Sequence, residues 1–173
     1  MTFDPTTRLA LPVSDPSLFE DGTDIDALSD RWRQQAALAP MTAAQMRGAD
    51  ARAQRMGMPG EWLMEQAGTA AAAAAKALMI STDRPRNSLV LVLCGPGNNG
   101  GDGLVTAGRL ATMGHAVRVL AWKRPPEDPL LGAAQRPEIG VVQGDAPDAL
   151  AQLDAWLEGA DLLIDALLGT GIS

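Results

Sequence analysis

The chain has 173 residues, enough for one ordinary domain with its own core, and a net charge of −7 that disfavours nucleic-acid binding through a basic face. Its single cysteine, Cys94, excludes an internal disulfide and favours a reducing cytoplasm, and one histidine with one cysteine argues against an all-protein zinc site. The sequence shows no secretory leader and no apolar run long enough to span a membrane, so we expect neither export nor membrane insertion.

Residues 1–40 are interpreted as an acidic extension interrupted by prolines. They hold seven acidic and three basic residues, a net charge of −4. We expect a mobile or loosely docked tail, within which residues 26–38 could form a short helix. The folded domain is then expected to occupy residues 41–173.

Two helices are predicted at the start of this domain. Thr42 is a good N-cap, and Gln45 three residues later completes the pattern of a capping box. The apolar positions of the first helix are Met46, Ala49, Ala53 and Met56. The second helix is predicted from about Glu61 to Met79, with apolar positions at Leu63, Met64, Ala67, Ala71, Ala74, Ala75 and Leu78. Its many small residues predict close packing on a sheet.

Strands and helices are predicted to alternate along the rest of the chain. The predicted strands are 89–94, 116–122, 140–143 and 161–168, and the helices are 104–113 and 148–157, with a proline-rich connection at 123–137. The unbroken apolar run Leu89–Cys94 is typical of a parallel strand covered on both faces. The alternation predicts an α/β fold with an open, mostly parallel sheet, and ligands bind such sheets at the carboxyl ends of the strands.

A glycine-rich loop follows the first predicted strand. The segment from Gly95 to Gly100 satisfies G-x-G-x-x-G, which alone is a weak sign of a dinucleotide site. An ordinary NAD site expects an acid where the second strand ends in Trp122, Lys123 and Arg124, so that reading is not supported. We expect Lys123 and Arg124 to form a solvated surface pair, with contact to a 2′-phosphate as the alternative.

Two asparagines and a carboxylate distinguish this loop from a plain phosphate cradle. Asn98 and Asn99 offer amide donors and acceptors, and Asp102 lies near the predicted helix N-terminus, where the helix dipole favours its ionised form. The functional hypothesis is that these side chains line a ligand site. The alternative is that Asp102 caps the helix and the asparagines form a tight turn.

Asp165 is the second candidate because it interrupts an apolar strand. Burying an ionised carboxylate is costly unless it is paired, and no Lys or Arg lies within sequence reach. A distant arginine, a metal ion or a substrate hydroxyl would stabilise it, although a strand-end aspartate can also be structural. The glycines of Gly169-Thr170-Gly171 directly after the strand favour a ligand site.

Two further residues are given structural roles. His115 is expected in a surface turn at the end of the sheet opposite the site. Cys94 is expected to be a small packing residue, because no base lies near it in sequence to make it a nucleophile.

Three segments give the chain a resemblance to a known family. They are residues 41–68 with Met64-Glu65-Gln66-Ala67-Gly68, residues 94–103 with the run Asn98 to Gly103, and residues 161–171 with the run Asp165 to Gly171. On these residues the chain resembles the NAD(P)H-hydrate epimerase family, the YjeF N-terminal domain. The resemblance implies a Rossmann-like three-layer α/β/α fold. Members are commonly dimeric, and some are fused to an ADP- or ATP-dependent dehydratase.

The resemblance also implies an isomerase that interconverts the R and S forms of hydrated NADH and NADPH (NADHX and NADPHX) at C6 of the nicotinamide ring, a nucleotide repair reaction. Asp102 and Asp165 would be the acid/base candidates, and Asn99 and Asp165 would ligate a potassium ion. The substrate would contact Asn98, Asn99, Gly100, Gly101, Asp102, Gly169, Thr170, Gly171, Ile172 and Ser173. The alternative is a non-catalytic nucleotide-binding or interaction module on the same fold.

The resemblance further implies that the chain is truncated at its C-terminal side. Family members continue past the position of Ser173 with a strand that carries a substrate-binding aspartate and a serine of the potassium site. We therefore expect an open sheet edge and an incomplete site.

Overall fold

A computed structural model describes residues 42–84 and 87–169. The expected extension at 1–40 lies outside the described residues, as do Met41 and the expected substrate contacts Thr170, Gly171, Ile172 and Ser173. The elements in chain order are α1 (Ala43–Arg55), α2 (Gly60–Ser81), β1 (Leu89–Cys94), α3 (Asn98–Thr112), β2 (Ala116–Ala121), α4 (Pro129–Ala134), β3 (Ile139–Gln143), α5 (Ala149–Gly159) and β4 (Leu162–Ala166). None of the helices in this part of the chain is both long and apolar enough to cross a membrane.

The four strands form one parallel sheet in the order β3-β2-β1-β4. This confirms the predicted α/β class and the mostly parallel sheet. β1 lies inside the sheet, and its central residues Val90, Leu91 and Val92 are fully buried, as its unbroken apolar run predicts. β4 pairs only with β1 among the described strands, so its other edge is free there.

Helices cover both faces of the sheet. The connection through α3 runs from β1 out to β2, whereas the connection through α5 runs back across the sheet from β3 to β4. Because both crossovers are right-handed by rule, α3 and α5 lie on opposite faces. The larger core lies on the α3 side, where the members of one apolar cluster include Val90, Val92, Cys94, Leu104, Ala107, Leu110, Val117 and Val119.

The capping box predicted for the first helix is present. Thr42 Oγ1 accepts from Gln45 N at 3.2 Å, and Thr42 N donates to Gln45 Oε1 at 2.8 Å. The predicted apolar face is much less covered than expected, because Met46 and Met56 are 47% and 61% exposed and α1 has no buried residue. The helix is therefore set by its N-cap and by limited contact with α2.

The second helix is present, but four of its seven predicted apolar positions are exposed. Ala67, Ala71, Ala74 and Leu78 are exposed, whereas the buried positions are Gly68, Ala72, Ala73, Ala75, Ala77 and Met79. An unbroken alanine run does not indicate which face of the helix is buried, since every rotation about the helix axis presents similar side chains. The helix packs chiefly against α3, where Thr106 Oγ1 donates to Gly68 O at 3.1 Å, so the expectation of packing mainly on the sheet was wrong.

The proline-rich connection contains a short helix that the sequence analysis missed. Asp128 is the N-cap of α4, and its Oδ1 accepts from Leu130 N at 2.8 Å and from Leu131 N at 3.4 Å. Pro129 occupies the first turn, where the missing N–H costs nothing because that group has no intrahelical partner. The prolines therefore mark a helix start as well as a loop.

His115 is buried, so its expected surface position was wrong. Only 8% of the residue is exposed, and its Nδ1 has no hydrogen-bond partner within the described part of the chain. Burial lowers the pKa of His115, and the positive charge of Lys76 lowers it further. Cys94 fits its expected packing role, since it is fully buried and burial raises its pKa to about 12.

Close contact between α3 and the sheet depends on Gly103. A Cβ at this position would lie 2.7 Å from the Cβ of Ala166 and 3.0 Å from Cys94 Sγ. We predict that Gly103→Ala lowers the free energy of unfolding by about 1–3 kcal/mol, because the helix or the strand must move.

The matched control is Gly108→Ala in the same helix, where a Cβ would meet no heavy atom within 4 Å. This change is expected to leave stability unchanged or to raise it by up to about 1 kcal/mol. Urea unfolding of both variants measures the difference, and equal losses of stability would contradict this account of the α3 contact.

Candidate active site

Two loops meet at the carboxyl edge of the sheet. One is the glycine segment, residues 95–103, and the other is the β4 exit, residues 167–169. Gly95 N donates to Ala166 O at 3.1 Å, and a Cβ on Gly95 would lie 1.9 Å from Leu167 O. The two chains therefore approach backbone to backbone, at the place where parallel α/β sheets bind ligands.

The helix within the glycine segment begins six residues earlier than predicted. α3 starts at Asn98, with Gly97 as an N-cap that makes no side-chain capping bond. The N–H groups of Asn98, Asn99 and Gly100 precede the first intrahelical bond, which runs from Gly101 N to Gly97 O at 3.1 Å. A helix start of this kind presents backbone donors to an anion.

The glycines of this first turn have packing reasons to lack side chains. A Cβ on Gly100 would lie 1.9 Å from the backbone oxygen of Gly95, and one on Gly101 would lie 2.6 Å from Met64 Sδ. The helix start is thus folded back against the end of β1 on one side and against α2 on the other. These contacts make glycine necessary here even though glycine weakens a helix.

Asn99 links the two loops directly. Its Nδ2 donates to Leu168 O at 3.1 Å, and a Cβ on Gly169 would lie 3.1 Å from the Cβ of Asn99. With the amide nitrogen held in this way, Oδ1 is the atom left to contact a ligand. Asn98 is exposed beside it. The structure therefore brings Asn99 and Gly169 together, as a shared site requires.

Asp165 is exposed, so the expected buried carboxylate was wrong. β4 is an edge strand of the sheet within the described residues, and the Asp165 side chain is open to solvent. Its Oδ1 accepts from Leu167 N at 2.9 Å, which shapes the β4 exit. Ala166 lies against Gly103 of α3, so strand alternation directs Asp165 to the opposite face of the sheet.

Asp102 is a helical residue and does not cap α3, which rules out the capping alternative. Burial, and to a smaller extent the negative charge of Asp50 on α1, together raise its pKa to about 6. The expectation that the helix dipole would favour the ionised form was therefore wrong in direction, because desolvation dominates. The structure places Asp102 on the α3 side of the sheet edge and Asp165 on the other side.

The site contains oxygen donors suited to a hard cation. Asn99 Oδ1, the Asp165 carboxylate and the peptide groups of the β4 exit are of this type, and Leu168 O already accepts from Asn99. Within residues 42–84 and 87–169, no three His, Cys, Asp or Glu side chains cluster as a metal site. These donors are oxygens, the ligand type that hard cations accept.

Arg124 is a site residue that the sequence analysis placed wrongly at the solvated surface. Only 4% of its side chain is exposed, and Nη1 donates to Gly95 O at 2.6 Å and to Gly97 O at 3.2 Å. Lys123 is exposed, as expected. The sequence signal that could have identified Arg124 as a site residue was its position, because it follows β2 at the same sheet edge as the glycine segment.

A second depression lies away from this edge. It is a groove of about 310 Å³ between α2, α3 and α4, and its lining includes Glu65, Arg109 and Arg136. Arg109 forms an ion pair with Glu65 across the groove. None of the residues predicted for the site lines it, so the candidate site remains at the sheet edge.

Known proteins resemble the chain in sequence and in structure. The model of the family "YjeF-related protein N-terminus" matches residues 60–173. An NAD(P)H-hydrate epimerase of Rhodopirellula baltica is 38% identical over 141 residues, which cover 78% of this chain and 53% of that protein. A bifunctional NAD(P)H-hydrate repair enzyme of Pyrobaculum aerophilum is 36% identical over 136 residues, covering 76% of this chain and 26% of that protein.

The fold comparison agrees with the sequence comparison. The crystal structure of the yeast protein YNL200c superposes with a TM-score of 0.62 at 25% identity, covering 76% of this chain and 57% of the yeast chain. The chain spans about half the length of the epimerase relative and about a quarter of the bifunctional one. With a family model matching most of its length and relatives above 30% identity, the chain belongs to the family of YjeF-related protein N-termini.

Proposed function

We propose that the chain carries the epimerase function of NAD(P)H-hydrate repair and is an isomerase acting on NADHX and NADPHX. The observation that carries the proposal is the hydrogen bond from Asn99 to Leu168 O, which joins the start of α3 and its free N–H groups to the β4 exit at one sheet edge. The names of the relatives from Rhodopirellula baltica and Pyrobaculum aerophilum support this substrate class.

The substrate's phosphates suit the helix start. The N–H groups of Asn98, Asn99 and Gly100 offer donors at the positive end of α3, and the glycines let a ligand reach the backbone. The expected contacts also include Gly101, Asp102 and Gly169. This arrangement would place the hydrated nicotinamide ring near the two carboxylates that flank the sheet edge.

The reaction needs a group that carries a proton close to neutral pH. C6 of the hydrated ring bears both a hydroxyl and the ring nitrogen, so no C–H bond has to break. A carboxylic acid can protonate the hydroxyl, which leaves as water while the nitrogen lone pair forms an iminium. Water then adds to the other face of C6 and returns the proton to the carboxylate, and ring opening to an aldehyde is the alternative route.

Asp102 is the better candidate for this proton carrier. Burial raises its pKa to about 6, so both protonation states are populated near neutral pH. Asp165 and Asn99 would hold a potassium ion, whose charge would offset the carboxylate and the substrate phosphates. In this assignment Asp165 remains essential, but it acts mainly by positioning the substrate.

The proposal also includes a partner enzyme, an assembly and a location. The repair reaction would feed a dehydratase, fused or separate, as the bifunctional relatives' name suggests. A homodimer is supported by the exposed apolar side chains of Met46 on α1, Met56 directly after α1, and Trp62 on α2. A cytoplasmic location is supported by the single, buried Cys94.

The proposal is tested by epimerisation of S-NADHX. The full chain is expected to convert it to the R form faster than the spontaneous rate, and Asp102→Asn and Asp165→Asn are each expected to lower the rate by about 100-fold or more. Asp154→Asn, an exposed carboxylate on α5, is the matched control and should be fully active. Dinucleotide binding without turnover, by this chain and by one extended past Ser173, would support the non-catalytic module instead.

The raised pKa of Asp102 predicts a specific pH dependence of stability. Its folded-state pKa is about 6 against 3.8 for the free group, so its stabilising contribution is complete below pH 3.8 and is lost as pH rises through 6. Asp102→Asn removes the buried charge and should raise the free energy of unfolding at pH 7.5 by about 1 kcal/mol, since the carboxyl is partly exposed.

The same substitution should have a much smaller effect on stability at pH 4, where the carboxyl is neutral in the folded state and only about half ionised in the unfolded state. Urea unfolding at the two pH values measures the difference, with Asp154→Asn as the control. An equal effect of Asp102→Asn at pH 4 and pH 7.5 would show that the carboxyl is not desolvated.

The potassium assignment predicts a cation requirement. Replacing K⁺ by tetramethylammonium at constant ionic strength should lower the rate of epimerisation by about tenfold or more. The reason is that the negative charges of the Asp165 carboxylate and the substrate phosphates are then no longer offset. Asn99→Ala and Asp165→Asn should remove this dependence as well as slowing the reaction. Wild-type rates that are the same in both salts would overturn the assignment.

A further inference from the structure

Arg124 occupies a buried position between the glycine segment and α4. Its Nη1 donates to Gly95 O and Gly97 O, and its Nη2 lies 3.0 Å from Asp128 Oδ2. The left-handed backbone of Lys123 (φ 51°) turns the chain inward immediately before it. One guanidinium therefore binds three oxygens on two different elements.

The two carbonyls that Arg124 binds determine which way the glycine segment faces. A trans peptide directs its carbonyl and its N–H to opposite sides. The Gly97 carbonyl belongs to the same peptide as the Asn98 N–H, which is the first free donor of α3. By binding the Gly97 oxygen, Arg124 directs the Asn98 N–H away from itself and toward the open edge of the sheet.

The other end of the contact is anchored. Asp128 uses Oδ2 for Arg124 and Oδ1 to cap α4, so the arginine is fixed to a helix start. The Gly95 oxygen that Arg124 binds is also the atom that a Cβ on Gly100 would approach to 1.9 Å. The guanidinium thus acts at the point where β1 ends and α3 folds back onto it.

We propose that Arg124 is a positioning residue that holds the glycine segment in its ligand-binding geometry. The proposal rests on the proposed function for its ligand, an anionic dinucleotide, but it concerns a residue that does not itself touch the ligand. Lysine could not replace it, because a single ammonium cannot form the planar fork that reaches two carbonyls and a carboxylate.

The test compares Arg124→Lys with Arg136→Lys, both in the full chain. Arg136 is the matched control. Its Nε donates to Ala133 O of α4 at 3.1 Å, and this bond does not involve the glycine segment. Three quantities are measured: the Kd for NADH, the hydrogen-exchange rates of residues 95–103, and the urea midpoint.

Arg124→Lys is expected to weaken NADH binding by about tenfold and to speed amide exchange in the glycine segment, with a much smaller effect elsewhere. Arg136→Lys is expected to change neither. Because an unpaired Asp128 could prevent folding, the double variant Arg124→Met with Asp128→Asn removes both charges and should show the same local loss.

A lower urea midpoint with unchanged Kd and unchanged local exchange would overturn the proposal and leave Arg124 a purely structural residue. Failure of the wild-type chain to bind NADH or its hydrate would count against the proposed function instead. The exchange measurement decides the role of Arg124 in either case, because it needs no ligand.

Discussion

The backbone contacts among three segments at one sheet edge are the constraint on which the rest of the structure depends. The end of β1, the first turn of α3 and the β4 exit lie so close that Cβ atoms on Gly95 or Gly100 would come within 1.9 Å of a backbone oxygen. This closeness fixes where α3 begins and directs its free N–H groups to the edge. It also brings Asn99 to Leu168, so a ligand bound at the helix start meets the β4 exit.

The same edge gives two aspartates different environments. Asp102 lies among α1, α2 and α3, and its pKa is raised to about 6, chiefly by desolvation. Asp165 is exposed on the face of β4 opposite α3. A reaction that removes a hydroxyl and returns water to the opposite face of a ring can use one group that exchanges protons and another that binds charge. This difference supports the separate roles we propose for the two carboxylates.

The fold was largely predictable from local patterns, while the site was only partly so. The apolar run of β1, the alternation of elements and the capping box at Thr42 are encoded by neighbouring residues, and the structure confirms them. The early start of α3 was missed because glycines oppose helix formation locally, and only tertiary contact explains it. The buried position of Arg124 could not be inferred from two basic residues after a strand, since the two carbonyls it binds lie 27 and 29 residues away in sequence.

The most direct test of the central claim is a backbone NMR titration of the full chain with S-NADHX. The account predicts that the largest shift changes fall in residues 95–103 and 165–169, on both loops of the sheet edge. Changes centred instead on the groove of Glu65, Arg109 and Arg136, with the glycine segment unaffected, would contradict it.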